Sequence, residues 1–163
     1  MLPMRWGGSP PATPSHLGGG AGASTRPPFP GSLSPDPEVA HVGLTETDAA
    51  KAGPARVAFL PMAEVDRAIV SGQTAGFVKL IAGPRPVLRG AGGGRIVGAS
   101  IVASRAGELI HEPTLALRTG MFTGRLAQTV HAYPTWSVAV RQAAAQFFFE
   151  IEGRRARPAR TGS

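Results

Sequence analysis

The sequence predicts an α+β domain, an antiparallel sheet with helices packed on one face. Three observations predict it. Segments that alternate in strand fashion precede most of the long helical ones. The two strongest strand patterns, Phe77-Val78-Lys79-Leu80-Ile81 and Ile96 to Val102, are joined by Gly83 to Gly94, a connection full of Gly, Pro and Arg. The last helical segment is apolar on nearly every side. Strands followed by helices through short links favour this layered arrangement. They do not form the alternating strand–helix repeat of a dinucleotide-binding fold.

Val39-Ala40-His41-Val42-Gly43 reads as a first strand. Thr45 then starts a brief helix with Asp48 at its third position, the spacing of a capping box. That helix ends before Gly53-Pro54, and Arg56 to Leu60 alternates as a second strand. Val65 to Val70 gives a short helical turn stopped by Ser71-Gly72. After the two strong strands, a helical pattern runs from Ser104 through Leu109, Ile110, Leu115 and Leu117 to Gly120. Pro113 inside it predicts a kink or local break. Arg125 to Thr129 is a shorter helical piece. The last helix is predicted from about Ser137 to Phe149, with Thr135 as its cap.

Residues 1–35 have a different character. Nine of the 16 prolines fall before Val39, beside Gly18-Gly19-Gly20. With few apolar residues at any period, this arm cannot offset its ordering entropy and is expected to be disordered. The folded domain is placed at residues 36–151, and residues 152–163 read as a basic tail.

Composition narrows the functional classes. A chain of 163 residues has room for one ordinary domain with its own core. The absence of cysteine excludes disulfides, thiolate metal sites and a redox dithiol supplied by this chain. No apolar run reaches the roughly 18–20 residues that span a bilayer, and no secretory signal is recognisable, so a cytoplasmic location is expected. The net charge of +7 invites a nucleic-acid reading. However, Arg154, Arg155, Arg157 and Arg160 crowd the C-terminal tail and the other basic residues are scattered, which favours a solvated tail.

The cluster Gly90-Ala91-Gly92-Gly93-Gly94 leads into a strand, and no Gly-Lys-Ser/Thr follows it. A phosphate-binding glycine loop must deliver a helix N-terminus to the anion, so a hairpin loop is the expectation. The last helix poses a sharper question. Val138, Val140, Ala143, Ala144, Phe147, Phe148, Phe149 and Ile151 leave little of it polar. Such a helix is either the centre of the core or shared between core and subunit interface.

Several segments together resemble one family. Pro37-Glu38-Val39-Ala40-His41-Val42-Gly43-Leu44-Thr45-Glu46 resembles the opening of the interface domain of lipoamide dehydrogenases, glutathione reductases and mercuric reductases. Gly76-Phe77-Val78-Lys79-Leu80 and Arg95-Ile96-Val97-Gly98-Ala99 resemble its central hairpin, and Ala106-Gly107-Glu108-Leu109-Ile110 its first long helix. His131-Ala132-Tyr133-Pro134-Thr135-Trp136-Ser137 resembles its active-site segment.

The resemblance implies a C-terminal dimerisation domain of a pyridine nucleotide-disulfide oxidoreductase, present without its FAD and NAD(P) domains, as a subunit-interface module or a truncated or split reductase. In complete members this domain pairs across a two-fold axis. A histidine before Pro-Thr serves as acid/base toward the partner's redox cysteines, and a glutamate five residues later orients it. Here Tyr133 stands at the histidine position and Val138 at the glutamate position. A phenol titrates near pH 10, so it donates a hydrogen bond but accepts protons poorly at neutral pH. Tyr133 and His131 are therefore the candidate site residues. Tyr133 is either a substrate contact or interface packing, and His131 a second group near the site or a hydrogen-bonding residue.

FAD and NAD(P) are implied for the complete enzyme, and no cofactor or metal is expected on this chain alone. The expected partner is a second copy of the chain, as a homodimer, or a flavin-bearing reductase chain that it completes by lending Tyr133 and His131. A nucleic-acid-binding protein is the remaining alternative.

Overall fold

The computed structural model describes residues 31–33, 36–84 and 93–161. The arm expected over residues 1–35 lies outside them apart from residues 31–33, as does most of the glycine-rich connection. Six strands form one antiparallel sheet: β1 (Gly31–Leu33), β2 (Glu38–Gly43), β3 (Arg56–Pro61), β4 (Phe77–Gly83), β5 (Arg95–Ala103) and β6 (Arg157–Pro158). Their spatial order is β1-β2-β5-β4-β3-β6. Between β2 and β3 lies α1 (Glu46–Ala52), and α2 (Asp66–Val70) follows β3 after one 3-10 turn. After β5 come α3 (Ala106–Leu109), α4 (His111–Arg118), α5 (Thr123–Gln128) and α6 (Val138–Ala145). This is the α+β architecture that the sequence predicts.

Strand alternation decides which residues meet the helices. Ala40 and Val42, Ala58 and Leu60, Val78 and Leu80, and Ala99 and Ile101 are buried in one cluster with Ala139, Val140, Ala143, Ala144 and Phe147. Alanines on both sides let α6 lie close to β3 and β4. Each large aliphatic side chain buried there contributes about 1.5–3 kcal/mol. Val57 and Ile81 point to the opposite face and meet Ala49 of α1, so one end of that face is covered as well. The β4–β5 register runs from Phe77↔Val102 to Ile81↔Gly98 and then steps to Ala82↔Ile96. The bulge thus absorbs Val97.

The first helix starts as its capping pattern predicts, with the Thr45 hydroxyl accepting the Asp48 N–H at 3.2 Å. The expected break near Pro113 falls at Ile110, between α3 and α4. Pro113 has no N–H to give the Leu109 carbonyl, so the interruption appears one turn upstream. Both ends of the last helix differ from expectation. The last helix ends at Ala145, and residues 146–147 continue it through i→i+3 bonds to Ala143 and Ala144. Its cap is Ser137, whose side chain makes no capping bond, while the Thr135 hydroxyl donates to Ala132 O.

The larger difference concerns the C-terminal segment. Residues 152–163 read as a solvated basic tail, yet β6 pairs with β3 through Arg56↔Pro158 and Val57↔Arg157. The sheet therefore takes in two residues beyond residue 151. A two-residue turn reverses the chain, with Ile151 and Arg154 exchanging backbone bonds of 2.9 and 2.8 Å. Both central residues have positive φ, 48° at Glu152 and 70° at Gly153, which is the geometry of a type I′ hairpin turn.

Candidate functional site

The candidate site is the loop between α5 and α6, residues 129–137. Thr129 leaves the helical region at the end of α5 with φ −65° and ψ 127°, and its hydroxyl donates to Arg125 O at 2.7 Å. Pro134 contributes no N–H, so the loop is held by side chains. Thr135 Oγ1 donates to Ala132 O at 2.6 Å and lies 3.0 Å from Ser137 Oγ.

His131 is committed on both ring nitrogens. Nδ1 lies 2.9 Å from Thr129 O, and Nε2 lies 3.1 and 3.0 Å from the two carboxylate oxygens of Glu112 on α4. Its side chain is only 8% exposed. This ring ties the loop to the first turn of α4. Both nitrogens thus face oxygens of this chain.

Tyr133 is placed differently. It is 72% exposed, and its hydroxyl donates to Asp66 Oδ2 at 2.8 Å, at the start of α2. The hydrogen bond to Asp66, then the charge of that carboxylate, hold the phenol above its ordinary value of 10.0. Ionisation would set phenolate against carboxylate. The group is therefore a hydrogen-bond donor across the physiological range. Tyr133 and His131 neighbour each other in sequence, but the fold anchors them to different carboxylates on different helices.

Val138, at the position where the resemblance expects a glutamate, is 7% exposed and opens α6 as a buried apolar residue. Below the loop, Trp136 packs against the core. Arg105, Glu108, Leu109, Glu112 and Trp136 line an adjoining cavity of about 340 Å³. The other two described histidines lie elsewhere. His41, on β2, bonds Ser100 Oγ at 2.9 Å and Gly43 O at 3.0 Å, and His111 is exposed on α4. Among the described residues, no three metal-ligating side chains converge. No described helix is long and apolar enough to cross a membrane.

Sequence reasoning missed Glu112 and Asp66 as site residues. Glu112 was visible only as a neighbour of His111, and nothing in the sequence around Asp66 points toward Tyr133. The fold and this loop define a class: a sheet domain that presents one exposed phenol on a fixed loop, built without the strand–helix repeat of a nucleotide-binding fold among its described residues.

Comparison with known proteins gives the family. Residues 29–144 match the dimerisation domain of the pyridine nucleotide-disulphide oxidoreductases, and the chain belongs to that family. Over 109 residues it is 42% identical to a dihydrolipoamide dehydrogenase of Chaetomium thermophilum, covering 66% of this chain and 20% of that protein. Over 119 residues it is 34% identical to a mercuric reductase of Bacillus cereus, covering 72% and 18% respectively. Its structure is similar to that of LpdA from Mycobacterium tuberculosis, with a TM-score of 0.65 at 29% identity over 74% of this chain and 25% of that one. It is also similar to the HOCl-induced flavoprotein disulfide reductase RclA from Escherichia coli, with a TM-score of 0.65 at 26% identity over 74% of this chain and 26% of that one. The chain thus spans only about a fifth to a quarter of the length of the relatives it matches.

Proposed function

We propose that this chain acts as the subunit-interface module of a cytoplasmic flavoprotein disulfide reductase, pairing with a second copy of itself about a two-fold axis. The observation that carries the reading is the exposed surface beside the anchored loop. Val130 is 94% exposed and Leu115 60% exposed. Leu115 lies one turn after Glu112, on the helical face that holds His131. A symmetric dimer would bury such a surface against its own copy. Sedimentation of the chain across micromolar concentrations tests this: a concentration-dependent dimer supports it, and a monomer throughout refutes it.

A second reading is favoured by the exposure of Tyr133. In it, the chain completes a flavin-bearing partner that supplies FAD and the NAD(P) site. Tyr133 touches the partner's substrate as a hydrogen-bond donor, and His131 positions the loop through Glu112. Alone, the chain retains no flavin. Co-expression with a flavin-domain fragment should give a yellow complex whose turnover falls in Tyr133→Phe, at unchanged complex stability. Equal turnover in Tyr133→Phe would remove the phenol from the mechanism.

A further inference from the structure

Residues 145–163 lie beyond the part of the chain that matches the family, yet Gln146 and four residues between Gly153 and Arg157 build one wall of a cavity. After the turn at Glu152-Gly153, the segment is fastened to the sheet at several points. Ala156 N–H donates to Gln146 O and Ala159 N–H to Ala55 O, both at 2.9 Å. Arg154 pairs with Glu64 at 2.9 Å, and Arg157 pairs with Glu46 of α1. Between this segment and β3–β4 lies a space of about 460 Å³ with Val57 and Phe59 at its floor and Lys79, Arg154, Arg155 and Arg157 around it. That volume suits a small ligand.

The charges in this cavity do not cancel. Lys79 and Arg157 share one carboxylate, that of Glu46, and Arg154 uses Glu64. Arg155 donates to Phe148 O at 3.0 Å and pairs with no carboxylate among the described residues. Four cations thus face two carboxylates, and the surplus is that of a dianion. Guanidinium groups donate in a planar fork that matches phosphate oxygens. The apolar floor beneath gives a flat group somewhere to leave water.

We propose that the cavity between β3–β4 and the segment 153–157 binds a phosphate monoester of a planar group, with the phosphate among Lys79, Arg154, Arg155 and Arg157 and the planar part against Val57 and Phe59. The test is titration of the full chain with phenyl phosphate at low salt, followed by calorimetry and by amide chemical shifts. Saturable one-to-one binding is expected, with shifts concentrated at residues 77–80 and 152–157. Inorganic phosphate should bind at least about tenfold more weakly, and phenol not measurably. Arg155→Ser should weaken phenyl phosphate about tenfold while leaving the thermal transition in place. Arg118→Ser, which removes an exposed cation on α4, should leave it unchanged. Lack of saturation, equal affinity for inorganic phosphate, or equal losses in the two variants would each overturn the proposal.

Discussion

The carboxamide of Gln146 closes both backbone groups of Phe59: Phe59 N–H donates to its Oε1, and its Nε2 donates to Phe59 O, each at 3.0 Å. The pairing answers a need of the sheet edge. β6 covers β3 only at Arg56 and Val57, so the strand's next exposed groups lack a neighbouring strand. Gln146, 1% exposed at the end of α6, supplies one donor and one acceptor in its place. Gln146→Leu would keep the volume and orphan both groups. Stability by urea unfolding should fall by about 2 kcal/mol or more, and an unchanged midpoint would show that water or another group takes over.

Tyr133 is the sole tyrosine of the chain, so phenolate absorbance reports on it alone. Its midpoint should lie above 10.0, because the bond to Asp66 and that carboxylate's charge both oppose ionisation. The sign for folding follows. The folded value is raised, so the Tyr133–Asp66 bond stabilises the loop below the unfolded value and is lost as pH rises through the folded one. Asp66→Asn should bring the midpoint down toward 10. A midpoint that does not move would mean that the bond is not populated in solution.

Glu46 behaves in the opposite sense. Burial opposes its ionisation, but the hydrogen bonds and charges of Arg157 and Lys79 together outweigh it and hold the carboxyl below 4.5. A lowered carboxylate value stabilises the fold above the unfolded value and ceases to do so as pH falls through the folded one. Stability should therefore decline below about pH 4.5, with Glu46→Gln showing a flatter acid limb. The contribution is about 1 kcal/mol or less, since both cations are partly solvated. Identical acid limbs in both proteins would assign the acid sensitivity to other carboxylates.

Gly98 lies where the chain leaving β2 crosses β5. A Cβ at this position would collide with the Leu44 carbonyl oxygen, whose own residue donates its N–H to Val97 O at 2.9 Å. The obstruction is backbone, which cannot rotate away. Gly98→Ala should cost about 1–3 kcal/mol, read as a lower thermal midpoint. A neutral result would require the β2–α1 connection to shift bodily.

Much of the architecture was legible in the sequence because it is set locally. Strand alternation at residues 77–81 and 96–102, the Thr45–Asp48 cap and the break ahead of Pro113 depend on residues within a turn or a strand of each other. The motif from His131 to Ser137 likewise marked the candidate loop and its missing histidine and glutamate. The pairing of Arg157–Pro158 with β3 was not legible. Ile151-Glu152-Gly153-Arg154 has hairpin spacing, but Glu rarely adopts the positive φ that the turn requires, and the arginines dominated its reading.

The pairs that give the site its chemistry were invisible for a different reason. His131 meets Glu112 across 19 positions, Tyr133 meets Asp66 across 67, Phe59 meets Gln146 across 87 and Glu46 meets Arg157 across 111. Sequence alone determined that Tyr133 is a phenol where an imidazole would be expected, and so a donor at neutral pH. Only the tertiary structure decided that Asp66 strengthens that character and that Glu112 occupies His131. Strand order and helix packing bring these carboxylates within hydrogen-bond reach, and no local pattern encodes which distant side chain arrives there.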